Sequence, residues 1–143
     1  MRTKLRRNER GAALIETAIT IPIILLVSVA IFEFGRAYQT WQVLTNAARE
    51  GARVAVLVDK TDDDVTAAVR NYLEAGGLPA FAAAGVVIDR AVPMGTNTAS
   101  RITVNYPFTF AFLNGVANLV SKGSTAGTSI TSMQSVALMR NEI

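Results

Sequence analysis

The sequence predicts an α+β chain. One long N-terminal helix is membrane-spanning in its first half, and a small antiparallel sheet with short helices packs on its second half. Three observations carry this expectation. From Ala12 to Phe34 the only ionisable side chains are Glu16 and Glu33, and a helix of that length reaches about 30 Å, the thickness of a bilayer core. Beyond Phe34 the apolar residues recur at helical spacing. After residue 85 the spacing shortens to the alternation of half-buried strands.

The elements follow in order. The long helix is expected from about Ala12 to Val58. Pro22 lies inside it, removes one backbone donor and should bend or loosen it. Glu33 and Arg36, three apart, can pair at the membrane exit. Tyr38 and Trp41 stand where amphipathic rings favour the headgroup level. Trp41, Leu44, Ala48, Gly51 (or Ala52), Ala55 and Val58 then form one stripe. Much of that face is small: Ala47, Ala48, Gly51, Ala52 and Ala55 let another backbone approach closely. The partner is either the chain's own domain or a helix of another subunit, and the spacing leaves both open.

Thr61-Asp62-Asp63-Asp64 opens the second helix. Thr61 can cap the amide of Asp64, and the acids favour the positive end of the dipole. No calcium-loop pattern of alternating acids, Gly and distal Glu follows them. Val65, Ala68, Val69, Tyr72 and Leu73 form its apolar stripe, and Gly76-Gly77 ends it. Val86 to Val92 reads as a β-branched strand closed by Pro93. Met94 to Ser100 reads as a hairpin connection. Arg101 to Tyr106 alternates, with Ile102, Val104 and Tyr106 inward. Phe108, Phe110, Phe112 and Leu113 form an apolar patch. A short helix through Val116, Leu119 and Val120, a loop from Ser121 to Ser129, and a last strand from about Ile130 to Arg140 complete the outline.

Composition narrows the chemistry. The 143 residues are 50% hydrophobic, with a mean hydropathy of +0.31 and a pI near 9.7. Of the 14 Lys and Arg, five lie in the first ten residues (Arg2, Lys4, Arg6, Arg7 and Arg10), opposed by one of the 11 acids, Glu9, so without residues 1–11 the formal charge falls from +3 to −1. The basicity belongs to the leader and no basic binding face remains, which argues against nucleic acid. A basic flank beside an apolar span stays in the cytoplasm and sends the rest across the membrane. The chain contains neither Cys nor His. That removes thiol nucleophiles, Ser-His dyads, and thiolate or imidazole metal sites. No paired carboxylates suggest an enzyme, and no cofactor is expected. Asp89 and Arg90 read as surface residues. Arg49, Glu50 and Arg53 read as a solvated helix face with local ion pairs.

Arg10-Gly11-Ala12-Ala13-Leu14-Ile15-Glu16 resembles a type IV prepilin cleavage site. The longer succession, through Ile21-Pro22-Ile23-Ile24, Ile31-Phe32-Glu33-Phe34-Gly35-Arg36 and Asn46-Ala47-Ala48-Arg49-Glu50-Gly51-Ala52-Arg53, resembles the TadE-like family, minor pseudopilins of tight-adherence (Flp-type) pili. Met139-Arg140-Asn141-Glu142 matches that family's ending. The resemblance implies a cytoplasmic leader, residues 1–11, removed by a prepilin peptidase between Gly11 and Ala12. It implies a transmembrane helix over 12–34 and an extracytoplasmic domain over 35–143. Its expected partners are other pseudopilins, the major Flp-type pilin, the pilus assembly platform and the inner membrane. It also offers Arg49, Glu50 and Arg53 as a docking face. Ala12 and Thr17 stand where other pilins usually carry aromatics, which fits a minor component.

Glu16 follows from electrostatics as well. A carboxylate inside a bilayer costs roughly 2.5–3.5 kcal/mol on insertion scales and calls for a partner, unless Glu16, less than two turns from Arg10, rests at the cytoplasmic headgroups. Cleavage would create an amine at Ala12, four residues away on the same helical face. A neighbouring subunit's amine would serve equally, and the resemblance implies that second arrangement. Two other expectations compete. One is an unprocessed single-span protein with an outward binding domain. The other is a secreted domain cut near Ser28-Val29-Ala30.

Overall fold

The structure, a computed structural model, describes residues 9–112 and 132–141. A single helix, α1, runs from Glu9 to Ala55, 47 residues with Pro22 inside it. A second, α2, spans Asp62–Ala75. A 3-10 turn at Phe81–Ala83 leads into three strands, β1 (Gly85–Met94), β2 (Asn97–Pro107) and β3 (Ser132–Arg140). The sheet is antiparallel in the order β1-β2-β3. The α+β expectation holds, with the sheet and α2 gathered on the upper half of α1.

α1 stops three residues before the expected Val58. Asp59 adopts a left-handed conformation, φ 69°, where the chain turns into α2. α2 begins with a capping box. The Thr61 hydroxyl accepts the Asp64 amide, and the Asp64 carboxylate accepts the Thr61 amide at 3.0 Å. Two orphan donors of the first turn are thereby satisfied. Val65, Val69 and Leu73 of α2 are buried. Gly77, at φ 74°, supplies the reversal after its last turn.

The hairpin is tighter than expected. Met94 pairs with Asn97, so only Gly95-Thr96 connects the strands, and β2 begins before Ser100. Gly95 adopts φ 63°, as a two-residue connection of this kind demands. Pro93 lies within β1 rather than beyond it. β1 is an edge strand, where a missing ladder donor is tolerated. In β2, Ile102, Val104 and Tyr106 are buried as the alternation requires. The expected short helix at 116–120 and the loop at 121–129 lie outside the described residues, as do Leu113, Ile130 and Glu142.

The core forms where Leu44, Ala47, Ala48, Ala52 and Ala55 of α1 meet Val65, Val69 and Leu73 of α2 and Ile102, Val104 and Tyr106 of β2. Trp41 and Val58, placed by periodicity on the same stripe, are exposed instead. Val58 lies past the helix end, and Trp41 lies beside Tyr38, the rings tilted by 38° with centroids 6.1 Å apart.

Candidate functional site: the bare half of the long helix

From Gly11 onward, the first residue of α1 to be buried is Glu33. Below Ser28 the helix leaves the domain altogether. Leu14, Ile15, Ile19, Ile21, Ile23, Ile24, Leu25 and Leu26 are each at least half exposed. The most apolar stretch of this helix has a mean hydropathy of 2.4, and none of it is covered by the rest of the chain. Large branched side chains standing bare all round a helix are stable in hydrocarbon and not in water.

Within this bare half most polar groups look after themselves. The hydroxyls of Thr17, Thr20 and Ser28 donate to the carbonyls of Ala13, Glu16 and Ile24 at 2.7, 2.7 and 2.8 Å. Glu16 differs. Its carboxylate is exposed on the helix, and no hydrogen bond or ion pair reaches it from the described residues. Gly11 and Ala12 lie one turn nearer the N-terminus on the same helix, and a side chain at Gly11 would meet nothing within 4 Å. The helix continues unbroken through Pro22.

The upper half explains its small residues by contact inside the chain. Ala47, Ala48, Gly51, Ala52 and Ala55 are all buried. A Cβ on Gly51 would stand 2.6 Å from Val69 Cγ2 and 3.2 Å from Ile102 Cγ2. The close approach is that of α2 and β2, so this face is not open to a second subunit's helix. Arg49 and Arg53 are exposed beside it. Arg53 binds Glu50 through two bonds, of 3.0 and 2.6 Å. The Arg53 guanidinium, bonded to it, holds the Glu50 carboxyl below its ordinary value.

Where the two halves meet, Glu33 and Arg36 do more than pair. Glu33, only 1% exposed, lies 3.1 Å from Arg36 and accepts the backbone amides of Ala111 and Phe112 at 3.2 and 3.1 Å. Arg36 donates to the Thr109 carbonyl at 2.5 Å and stands 4.6 Å above the Phe108 ring. The segment after β2 is thus clamped to the helix at its point of emergence. The spacing showed the ion pair; the remaining partners lie more than 70 residues away and carried no local signal.

Arg90, expected on the surface, is a third exposed and also bonds the elements beneath it. It lies on the helix side of β1, after Val86 and Ile88. It donates to the carbonyls of Ala55 and Lys60 at 2.6 and 2.9 Å, and to Asp62 at 2.8 Å. It therefore closes the C-terminal end of α1 and ties it to the start of α2. A β-bulge between Asp89 and Val92 accompanies this inward cation. Asn141 works nearby, bonding Thr98, Ser100 and the Arg90 carbonyl.

Residues 11–53 match a protein-family model, TadE-like protein. This is the stretch that carries the sequence resemblance. The matched region is nearly all of α1, from the bare base to the small residues under the sheet. It connects the chain with the pilus-associated TadE-like proteins, a structural family. Searches of curated proteins and of solved structures found no match. The long apolar helix fits a membrane anchor in such a protein.

Proposed function

We propose that this TadE-like chain is a minor pseudopilin, required for assembly of a tight-adherence (type IVc) pilus. A prepilin peptidase would remove residues 1–11 by cutting between Gly11 and Ala12. Residues 12–34 would cross the inner membrane with the leader on the cytoplasmic side, and residues 35–143 would lie outside. The mature chain would associate with other pseudopilins and with the major Flp-type pilin through the bare half of α1. The assembly platform would then extract it from the membrane. Pro22, which withholds one backbone donor, would ease any bending that this needs.

The observation that carries the reading is Glu16. It is an acid on an apolar helix, its neighbouring hydroxyls are satisfied locally, and it has no partner among the described residues. A new amine at Ala12, in this chain or the next, supplies the missing charge and would set the register between helices. Since the small face at Ala47–Ala55 is occupied by the chain's own domain, lateral association falls to residues below Glu33. Arg49, exposed beside that face, stays available as a docking group, while Glu50 and Arg53 engage each other.

The test is the N-terminus of the membrane-extracted protein from cells that contain the peptidase. A chain beginning at Ala12 supports the reading. A chain beginning at Met1 overturns it in favour of an unprocessed single-span protein with an outward binding domain. Replacing Gly11 with a bulkier residue should leave the leader attached. Glu16→Ala should insert and be trimmed normally yet yield few or no pili, counted on sheared filaments.

A further inference from the structure

Beside the emergence of α1 the domain exposes a second apolar surface. Phe112 is 63% exposed. It shares a cavity with Val29, Phe32, Glu33 and Arg36 of the helix. Phe32 and Phe34 are themselves 76% and 64% exposed, and Phe34 meets the Phe110 ring edge-on at 6.3 Å. The domain therefore does not begin above the apolar helix. Its Phe108–Phe112 segment comes down alongside the last turns of that helix.

Depth follows from helix geometry. If the hydrocarbon begins at Ala12, a rise of about 1.5 Å per residue brings its far edge, about 30 Å on, close to Phe32. Phe112 would then lie at the level of the acyl chains nearest the headgroups. Three polar backbone groups of the segment that carries it are paired with the helix. The amides of Ala111 and Phe112 are bonded to Glu33, and the Thr109 carbonyl to Arg36. Irregular backbone does not lie bare in hydrocarbon, so the Phe112 ring alone dips among the acyl chains while its backbone stays at the headgroup level. Arg36 itself is 45% exposed on its side chain, placed where a guanidinium can reach lipid phosphate.

We infer that Phe110–Phe112 is a foot of the domain resting on the membrane, with the Phe112 ring inserted into the lipid leaflet through which α1 emerges. The occupant of this surface is lipid because it is continuous with the bare helix face. The inference rests on the reading that α1 spans a bilayer. Its content is new to that reading: the domain itself is anchored, and its tilt on the helix is fixed by the leaflet as well as by Glu33.

The experiment uses the full chain in phosphatidylcholine vesicles with Trp41, the single tryptophan, replaced by Phe. One tryptophan is then introduced as Leu25→Trp, Phe112→Trp or Thr96→Trp. Quenching is compared between lipids brominated near the headgroup and near the acyl terminus. Phe112→Trp should be blue-shifted and quenched most by the shallow bromines. Leu25→Trp should be quenched most by the deep ones, and Thr96→Trp, at the far hairpin, by neither. A quenched Leu25→Trp beside an unquenched Phe112→Trp overturns the foot and leaves the spanning helix standing. Protection of Phe112→Trp from aqueous iodide without quenching by bromine assigns the surface to a protein and also overturns it. If Leu25→Trp escapes quenching, the spanning reading fails and the foot fails with it.

Discussion

The two halves of α1 are one unbroken helix with opposite compositions. Below Glu33 the outward residues are large: Leu14, Ile19, Ile24, Leu25, Phe32. Above it the buried residues are mostly small: Ala47, Ala48, Gly51, Ala52, Ala55. Lipid accepts branched side chains of any length, so the lower half is limited only by hydropathy. A sheet and a second helix packed closely on a rod accept almost nothing beyond a methyl group. Size, more than polarity, records which neighbour each half has. Small-residue stripes are often read as sites for another helix, and here the neighbour is the chain's own domain.

The contrast can be broken at matched positions. Leu44 is fully buried, and Leu44→Ala should destabilise the domain by about 2–5 kcal/mol. The same change at the exposed Leu25 should leave domain melting unmoved. Near-UV circular dichroism in detergent reads both. The glycines sharpen the point. Gly51→Ala drives a methyl group against Val69 and Ile102 and should cost about 1–3 kcal/mol. Gly35→Ala meets nothing within 4 Å and should be neutral or stabilising by up to about 1 kcal/mol.

Smaller effects test the α2 start that brings Val65 and Val69 over the small face. Thr61→Ala removes the cap and should cost about 0.5–2 kcal/mol. The smallest effect is a pH dependence. The Thr61 backbone amide, bonded to Asp64, holds its carboxyl below the ordinary value, and the Thr61 hydroxyl adds to this. A folded-state value below the unfolded one means the contribution is present above the unfolded value. It is lost as pH falls through the folded one. Asp64→Asn should therefore lower the neutral plateau slightly and leave stability below the folded value nearly unchanged, which flattens the acid limb.

Local chemistry was legible in the sequence wherever it had a period or a cap. The Thr61–Asp64 capping box, the alternation of Ile102, Val104 and Tyr106, the apolar run from Ala12 and the Glu33–Arg36 spacing all describe neighbours within a few residues. Long-range partners were not. Nothing near Glu33 announces that its carboxylate receives amides from residues 111 and 112, and nothing near Arg90 points to the carbonyls of Ala55 and Lys60. Pro93 misled because a proline ends a strand unless the strand is an edge. The small face stayed ambiguous because close packing demands the same residues whichever backbone approaches. For Gly11, Ala12 and Glu16 the sequence had already supplied spacing and chemistry. The fold adds that they stand on a helix free of the domain.

The length of α1 has a mechanical consequence. Forty-seven residues of continuous helix form a strut about 70 Å long, fastened to the domain near both ends of their contact. Glu33 and Arg36 hold the lower end, and Arg90 grips the Ala55 carbonyl at the upper. A pull along the axis at the base would load these fastenings and the intervening packing in shear, all at once. Hydrogen bonds sharing a load this way resist far better than bonds opened one after another. The domain would travel with its strut as a single piece.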